Sequence, residues 1–364
     1  MIDFVPLEYY TKLYFYLLLI VVFFLWIGSG KTELSSKKNL NAKSILGIFL
    51  LVITIVYMGL RTISGAYFGD MGTYANLFVN YASGGIMLFQ QDVGFDFFMS
   101  SCAKIMTIDF FFLLCAFLYV FPIYLTSKKF FKKYWFYAFL ILVSSYSFWT
   151  YGTNGIRNGL ASSLVLLAFA YKDKKVVMIA LMFVAASFHK SMLLPILAYG
   201  ITFFYKDSKK VFYFWLLCIP LSLIAGGVFE SAFANLGFDD ERISYLTAGN
   251  VNNDEFSGTG FRWDFVVYSA SAVFAGWYFI FKRKYKDPVY SQLFNTYLIA
   301  NGFWILIIRA NFSNRFAYLS WFMMGLVIVY PFLKMQFFKN QQKVLGTVIL
   351  FYFMFTYMMN VILT

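Results

Sequence analysis

Long apolar runs recur along this chain, separated by short polar or charged stretches. Their lengths predict membrane helices at 7–29, 44–60, 109–127, 134–150, 157–171, 175–189, 191–205, 211–229, 263–281, 290–308, 316–333 and 343–362. The runs are continuous and do not alternate, which excludes a transmembrane β-barrel. One stretch fits poorly: Val93-Gly94-Phe95-Asp96-Phe97-Phe98-Met99 is apolar but short, and Asp96 and Lys104 interrupt the region 93–107. A re-entrant or surface-lying helix is expected there. The pattern as a whole predicts an all-α polytopic membrane protein with about twelve spans. It forms a single integral membrane domain over 1–364, with longer outer loops at 61–92 and 230–262.

Composition agrees. Of the 364 residues, 61% are hydrophobic and only 13% charged. A soluble domain carries about a quarter charged residues. The net charge of +13 would suggest an anionic partner in a soluble protein. Its placement argues otherwise. The segments 30–43, 128–133, 172–175, 206–210, 282–287 and 334–343 hold 21 of the 30 lysines and arginines. With twelve spans and both termini outside, all six fall on one side, which the positive-inside rule makes cytoplasmic. The basic balance is therefore an orientation signal, and no nucleic-acid partner is implied. Met1 to Glu8 has two acids and no base, so the first apolar run is expected to stay as a span. Cys102, Cys115 and Cys218 are far apart and read as small apolar residues in helices.

Nine basic residues remain once the inner segments are set aside: Lys12, Arg61, Lys104, Arg157, Lys190, Arg242, Arg262, Arg309 and Arg315. Orientation does not explain arginines at the outer face. Their planar fork of donors suits phosphate oxygens, and a lipid-linked phosphate is a natural ligand for it. Arg157 opens a helix after the Gly-rich turn Gly152-Thr153-Asn154-Gly155-Ile156, where backbone N–H groups also favour an anion. An interfacial anchor is the bland alternative. The chain's one histidine, His189, stands before Lys190 and Ser191. The runs 160–171 and 176–188 form a hairpin that puts Arg157 and His189 at the same end, away from the turn Lys172-Asp173-Lys174-Lys175. His189 suits a general base, a donor to an oxyanion, or a satisfied packing residue. Arg61 begins a Gly-rich loop with Asp70 and Tyr74, a carboxylate and a phenol suited to sugar hydroxyls. Arg309 and Arg315 flank a polar turn. Asp239-Asp240-Glu241 reads as a solvated loop in preference to a metal site. The chain has no HExxH, GxSxG, P-loop or GxGxxG motif, and one histidine with scattered cysteines cannot build a zinc site. Neither a metal nor another cofactor is expected.

These residues come in a familiar order. Arg61, Asp70-x-x-x-Tyr74, Asp92-Val93-Gly94-Phe95, Gly155-Ile156-Arg157-Asn158-Gly159, Phe188-His189-Lys190-Ser191 and Asn314-Arg315-Phe316-Ala317-Tyr318 together resemble the EpsG-type family of bacterial polysaccharide proteins. That family is related in role to Wzy-type O-antigen polymerases. Arg157-Asn158 stands where the family more often has Arg-Gln. The resemblance implies a fold like that of membrane glycosyltransferases with lipid-linked donors. It implies polymerisation of undecaprenyl-diphosphate-linked oligosaccharides at the outer face of the bacterial inner membrane, without a metal. A chain-length regulator protein is among the implied partners. His189, Arg157 and Asp70 are then expected to be catalytic. Arg61, Tyr74, Asn158, Lys190, Arg309 and Arg315 are expected to hold the diphosphate and sugar. A lipid-linked oligosaccharide flippase, a polysaccharide ligase and a membrane acyltransferase are the alternatives.

Overall fold

A computed structural model describes residues 1–30, 33–85, 92–234, 260–310 and 313–363. Regular secondary structure among these is helical. An isolated parallel bridge pairs Ile2 with Arg61, the Ile2 N–H donating to the Leu60 carbonyl at 2.7 Å. Seven helical segments among the described residues are long and apolar enough to cross a bilayer. Further apolar helices are shorter, at Val93–Ala103, Ile156–Ala170, Lys175–Phe188 and Lys190–Phe204. The chain is an all-α polytopic membrane protein. It divides into two compact units, one of Met1–His189 with Phe332–Thr364, the other of Lys190–Pro331. The outer stretch 235–259, including Asp239-Asp240-Glu241, lies outside the described residues, as do 86–91 and 311–312.

The first unit begins with two long helices, α1 (Leu7–Ser29) and α2 (Lys37–Gly59). Two short helices follow in the outer loop, α3 (Gly65–Phe68) and α4 (Met71–Ala82). Next come the 11-residue α5 (Val93–Ala103) and the long α6 (Ile108–Phe131). The span expected over 134–150 is instead two helices, α7 (Trp135–Val143) and α8 (Tyr146–Thr153). The buried pair Ser144-Ser145 marks the break, and the Ser144 hydroxyl bonds back to the Ile141 carbonyl. A carbonyl released at such a break must be satisfied from outside the helix. Tyr14 of α1 does this, its hydroxyl donating to the Val143 carbonyl at 3.1 Å.

The hairpin follows as α9 (Ile156–Ala170) and α10 (Lys175–Phe188). Its seat on α6 has a chemical cause. Pro122 lacks an N–H, so it leaves the Leu118 carbonyl one turn earlier without its helical donor. The buried Ser163 hydroxyl of α9 lies 3.4 Å from that oxygen. On the other side, α5 comes close against the end of α10. A Cβ added at Gly94 would collide with Ser187, so only glycine allows this approach. The rings of Phe95 and Phe98 pack on Phe188, with centroids 6.0 and 5.6 Å away.

The second unit holds α11 (Leu193–Phe204), α12 (Ser208–Ala234), α13 (Trp263–Gly276, continued by a π-helical turn), α14 (Pro288–Leu306) and α15 (Ser313–Trp321). One asparagine ties four of these together. Asn301 of α14 is fully buried and accepts from Trp215 Nε1 of α12 at 2.8 Å. Its amide nitrogen donates to Ser269 Oγ of α13 at 3.2 Å and to Ser320 Oγ of α15 at 3.0 Å. Trp321 Nε1 also donates to Ser269 Oγ, at 2.6 Å. Without apolar driving force between helices in lipid, such bonds hold a bundle together. Helix α16 (Met324–Lys334) leads back to the first unit, which α17 (Gln341–Tyr357) completes.

Candidate active site

The polar centre of the first unit is Asp92, the residue before α5. Its side chain is 4% exposed. Oδ2 accepts from Arg157 Nη1 at 2.8 Å, and Oδ1 lies 4.0 Å from His189 Nδ1. One carboxylate thus sits between a guanidinium and an imidazole. The hairpin end expected to carry Arg157 and His189 together does so, and Asp92 is what joins them.

Each partner is held by its element. Arg157 is the second residue of α9, directly after the Asn154-Gly155 turn that separates α9 from α8. Asn154 fixes that turn against the outer loop: its Oδ1 accepts from the Asp70 N–H at 2.8 Å. Gly69 has φ of +51°, and a Cβ there would collide with the Asn154 side chain. Glycine is required on both grounds. His189 ends α10 in extended conformation, with its N–H on the Ala185 carbonyl at 3.0 Å. Gly94 and Ser187, in close approach, bring the start of α5 to this helix end.

Tyr74 of α4 closes another side. Its hydroxyl accepts from Arg157 Nε at 3.3 Å, and the guanidinium lies 5.8 Å from its ring centroid. Burial pushes the Tyr74 phenol above its ordinary range, against the pull of the Arg157 charge, so the hydroxyl stays protonated. One turn into α5 is a second carboxylate, Asp96, half-buried. Burial raises its pKa, and the Arg157 charge works in the opposite direction. Asp92 and Asp96 are four residues apart, one at the N-cap of α5 and the other in its first turn. Around Arg157 the structure therefore gathers two carboxylates, a neutral phenol and an imidazole. Arg157 keeps 22% side-chain exposure, so a ligand can reach it.

The remaining sequence-selected residues lie as follows. Asp70 is exposed in the Gly69 turn. Asn158 is half-buried, next to Arg157 on α9. Arg61 is 2% exposed. Its guanidinium donates to the Met58 carbonyl and, at 2.9 Å, to the Thr153 carbonyl, between the rings of Phe68 and Phe112. Burial lowers its pKa to about 10, so it keeps its charge at neutral pH. Arg61 thus joins the end of α2 to the end of α8. Lys190, Arg309 and Arg315 belong to the second unit. There Arg309 Nη2 donates to the Leu223 carbonyl at 3.3 Å, beside the kink at Ala225 in α12. The Arg315 N–H donates to Asn314 Oδ1 at 3.0 Å.

Sequence reasoning gave no separate role to Asp92 or Asp96. The usable signal was two acids at i and i+4 opening an otherwise apolar helix, since a charge in apolar surroundings is retained for a partner or a function. Among the described residues no three His, Cys, Asp or Glu side chains are grouped to hold a metal ion. Cys102, Cys115 and Cys218 are buried free thiols.

No curated protein and no solved structure matches this chain. The model of the EpsG family matches residues 44–364, a range that contains every residue of the Asp92 cluster. The chain belongs to the EpsG family.

Proposed function

We propose that this protein is a membrane glycosyltransferase that polymerises oligosaccharide repeat units carried on undecaprenyl diphosphate, at the outer face of the bacterial inner membrane. Membership of the EpsG family fits a polysaccharide polymerase-type role. The observation that carries the finer reading is the Arg157–Asp92–His189 constellation, assembled from α5, α9 and α10 with the Arg157 side chain 22% exposed.

In the transfer, an acceptor hydroxyl attacks the anomeric carbon of the donor sugar. The carbon–oxygen bond to the diphosphate breaks, and the lipid diphosphate leaves with the bonding electrons. Negative charge grows on phosphate oxygens, and a fixed guanidinium stabilises it. Arg157 is that group. Before donor arrives, Asp92 holds Arg157 Nη1; a diphosphate, with more charge and more acceptor oxygens, competes for the same donor. Asp92 then turns its charge toward His189 Nδ1, 4.0 Å away. A carboxylate on Nδ1 favours the tautomer whose Nε2 takes the acceptor's proton. Asp96 and Asp70 are the other carboxylates available for that proton. The Tyr74 hydroxyl donates to a sugar or phosphate oxygen. Asn158 lies next in sequence to Arg157 and extends the binding surface. Arg61 supports the site from behind through its carbonyl contacts.

Deleting the gene and resolving the surface polysaccharide on a gel tests the reading. Single repeat units on the final acceptor, with the ladder of longer chains gone, are expected. Complementation with Arg157→Ala should leave that phenotype in place. Loss of all repeat units from the surface would contradict polymerisation and point to a flippase or ligase.

A further inference from the structure

At the other end of the first unit lies a cavity of about 560 Å³. Three membrane helices meet there: α1 ends at Ser29, α16 ends at Lys334 and α17 starts at Gln341, all of them lining residues. Lys334, Lys339 and Lys343 line it, with Glu33 as the one acid among the lining residues. A cavity at the ends of spans sits at the depth of lipid headgroups. Basic pockets at that depth hold anionic headgroups, and this volume lies within the ~300–1,000 Å³ of small-molecule sites.

The cavity is built, not a gap between loose loops. Gln341 is 6% exposed and spends its whole amide on the turn before it. Its Nε2 donates to the carbonyls of Phe332 and Met335, at 2.6 and 2.7 Å. Its Oε1 accepts from the N–H groups of Phe337 and Phe338, at 2.6 and 3.3 Å. Gln342, 4% exposed, accepts at Oε1 from Asn39 Nδ2 of α2 at 3.1 Å. The same Asn39 nitrogen lies 3.2 Å from the Glu33 carbonyl, which ties down the facing segment. The last turns of α1 expose Phe24 (67%) and Ile27 (44%). An acyl chain has an apolar track there that a soluble phosphate would not use.

We propose that this cavity binds the phosphate headgroup of an anionic phospholipid, its acyl chains lying along the end of α1. The proposal does not rest on the transferase reading. Orientation alone accounts for lysines somewhere on this face, but not for their convergence on one walled cavity beside an exposed apolar strip.

The test titrates the purified full-length chain in detergent with phosphatidylglycerol, phosphatidylcholine and glycerol phosphate, reading binding by native mass spectrometry. Phosphatidylglycerol should bind, and phosphatidylcholine and glycerol phosphate should bind far more weakly. The triple variant Lys334→Gln/Lys339→Gln/Lys343→Gln should weaken phosphatidylglycerol binding about fivefold per lysine, roughly a hundredfold in all. Lys206→Gln/Lys209→Gln/Lys210→Gln removes equal charge from another basic segment and should change nothing. If the first triple variant does not fold, Gly30→Glu serves instead, since a Cβ there meets nothing within 4 Å; it should weaken binding as well. Equal loss in both triple variants would mean diffuse surface attraction and overturn the site. Equal binding of phosphatidylcholine, or glycerol phosphate binding as tightly as the lipid, would overturn the assignment to an anionic lipid.

Discussion

The two units each bury a polar cluster, and the clusters differ in kind. Around Asn301 every group is neutral, and the hydrogen bonds span 2.6 to 3.2 Å. All of its members are closed off from solvent. Around Asp92 a carboxylate and a guanidinium are charged, the imidazole stands 4.0 Å from the carboxylate, and the Arg157 side chain is 22% exposed. Buried ions are poor stabilisers, because desolvation offsets much of their attraction. A neutral satisfied network is therefore suited to holding helices together. A charged cluster that solvent still reaches is suited to exchanging partners, as the proposed transfer from a diphosphate requires.

Substitutions can break this comparison from either side. Apart from changes at Arg157 itself, the largest effect is expected at His189. His189→Ala should lower turnover by about 10²–10⁴, the usual contribution of a general base, while thermal stability changes little. A transfer assay on purified protein beside a melting curve separates the two. Full activity in that variant would move the proton to Asp96 or Asp70. Next is Asn301→Ala, which leaves Trp215 Nε1 buried without its acceptor. It should cost about 1–3 kcal/mol of stability, read as a lowered Tm, with turnover per folded molecule unchanged. A drop in turnover at constant Tm would dissolve the contrast between the units. Gly94→Ala should act on the charged cluster without touching it, by pushing α5 away from Ser187. Reduced turnover is expected, and Gly200→Ala, where an added Cβ meets nothing within 4 Å, should be silent in the same assay.

The smallest effect is expected at Asp96. Burial raises its folded pKa above the unfolded value. The protonated form is then the one folding favours, so this contribution is present at low pH and is lost as pH rises through the folded pKa. At neutral pH the charged Asp96 is a slight liability. Asp96→Asn should leave Tm at pH 7 unchanged or slightly higher, and should flatten the acid side of the Tm–pH curve. A clear fall in Tm at pH 7 would show the charge to be a structural partner of Arg157.

Much of the fold was legible because hydropathy reports bilayer contact directly. The hairpin at 156–188 and the shortness of its two helices followed from apolar run length and the Lys172–Lys175 turn. Arg157 and His189 were found together because a hairpin with a known turn fixes which ends meet. Asp92 was not, since its partners lie 65 and 97 residues along the chain. Periodicity has no reach over that distance. Arg61 shows the opposite difficulty. An arginine at a span end looks the same in sequence whether it faces a ligand or, as here, the carbonyls of Met58 and Thr153. The break at Ser144-Ser145 was hidden because the surrounding residues are apolar enough for one continuous span, and the Tyr14 hydroxyl that meets the opened helix comes from 129 residues away.

In the proposed transfer, Arg157 serves the donor diphosphate and Asp92 holds its place until donor arrives. This is tested most directly by elongation of a synthetic lipid-diphosphate repeat unit by the purified protein. Arg157→Ala would strand a buried Asp92 charge, so the decisive variants are Arg157→Lys, which keeps the charge, and the double variant Arg157→Ala/Asp92→Asn, which removes both charges. The account predicts a ladder of products from the unaltered chain. It predicts at least a tenfold loss for Arg157→Lys, about what loss of the planar fork implies, and no ladder from the double variant at a near-normal Tm. A full ladder from the folded double variant would contradict it.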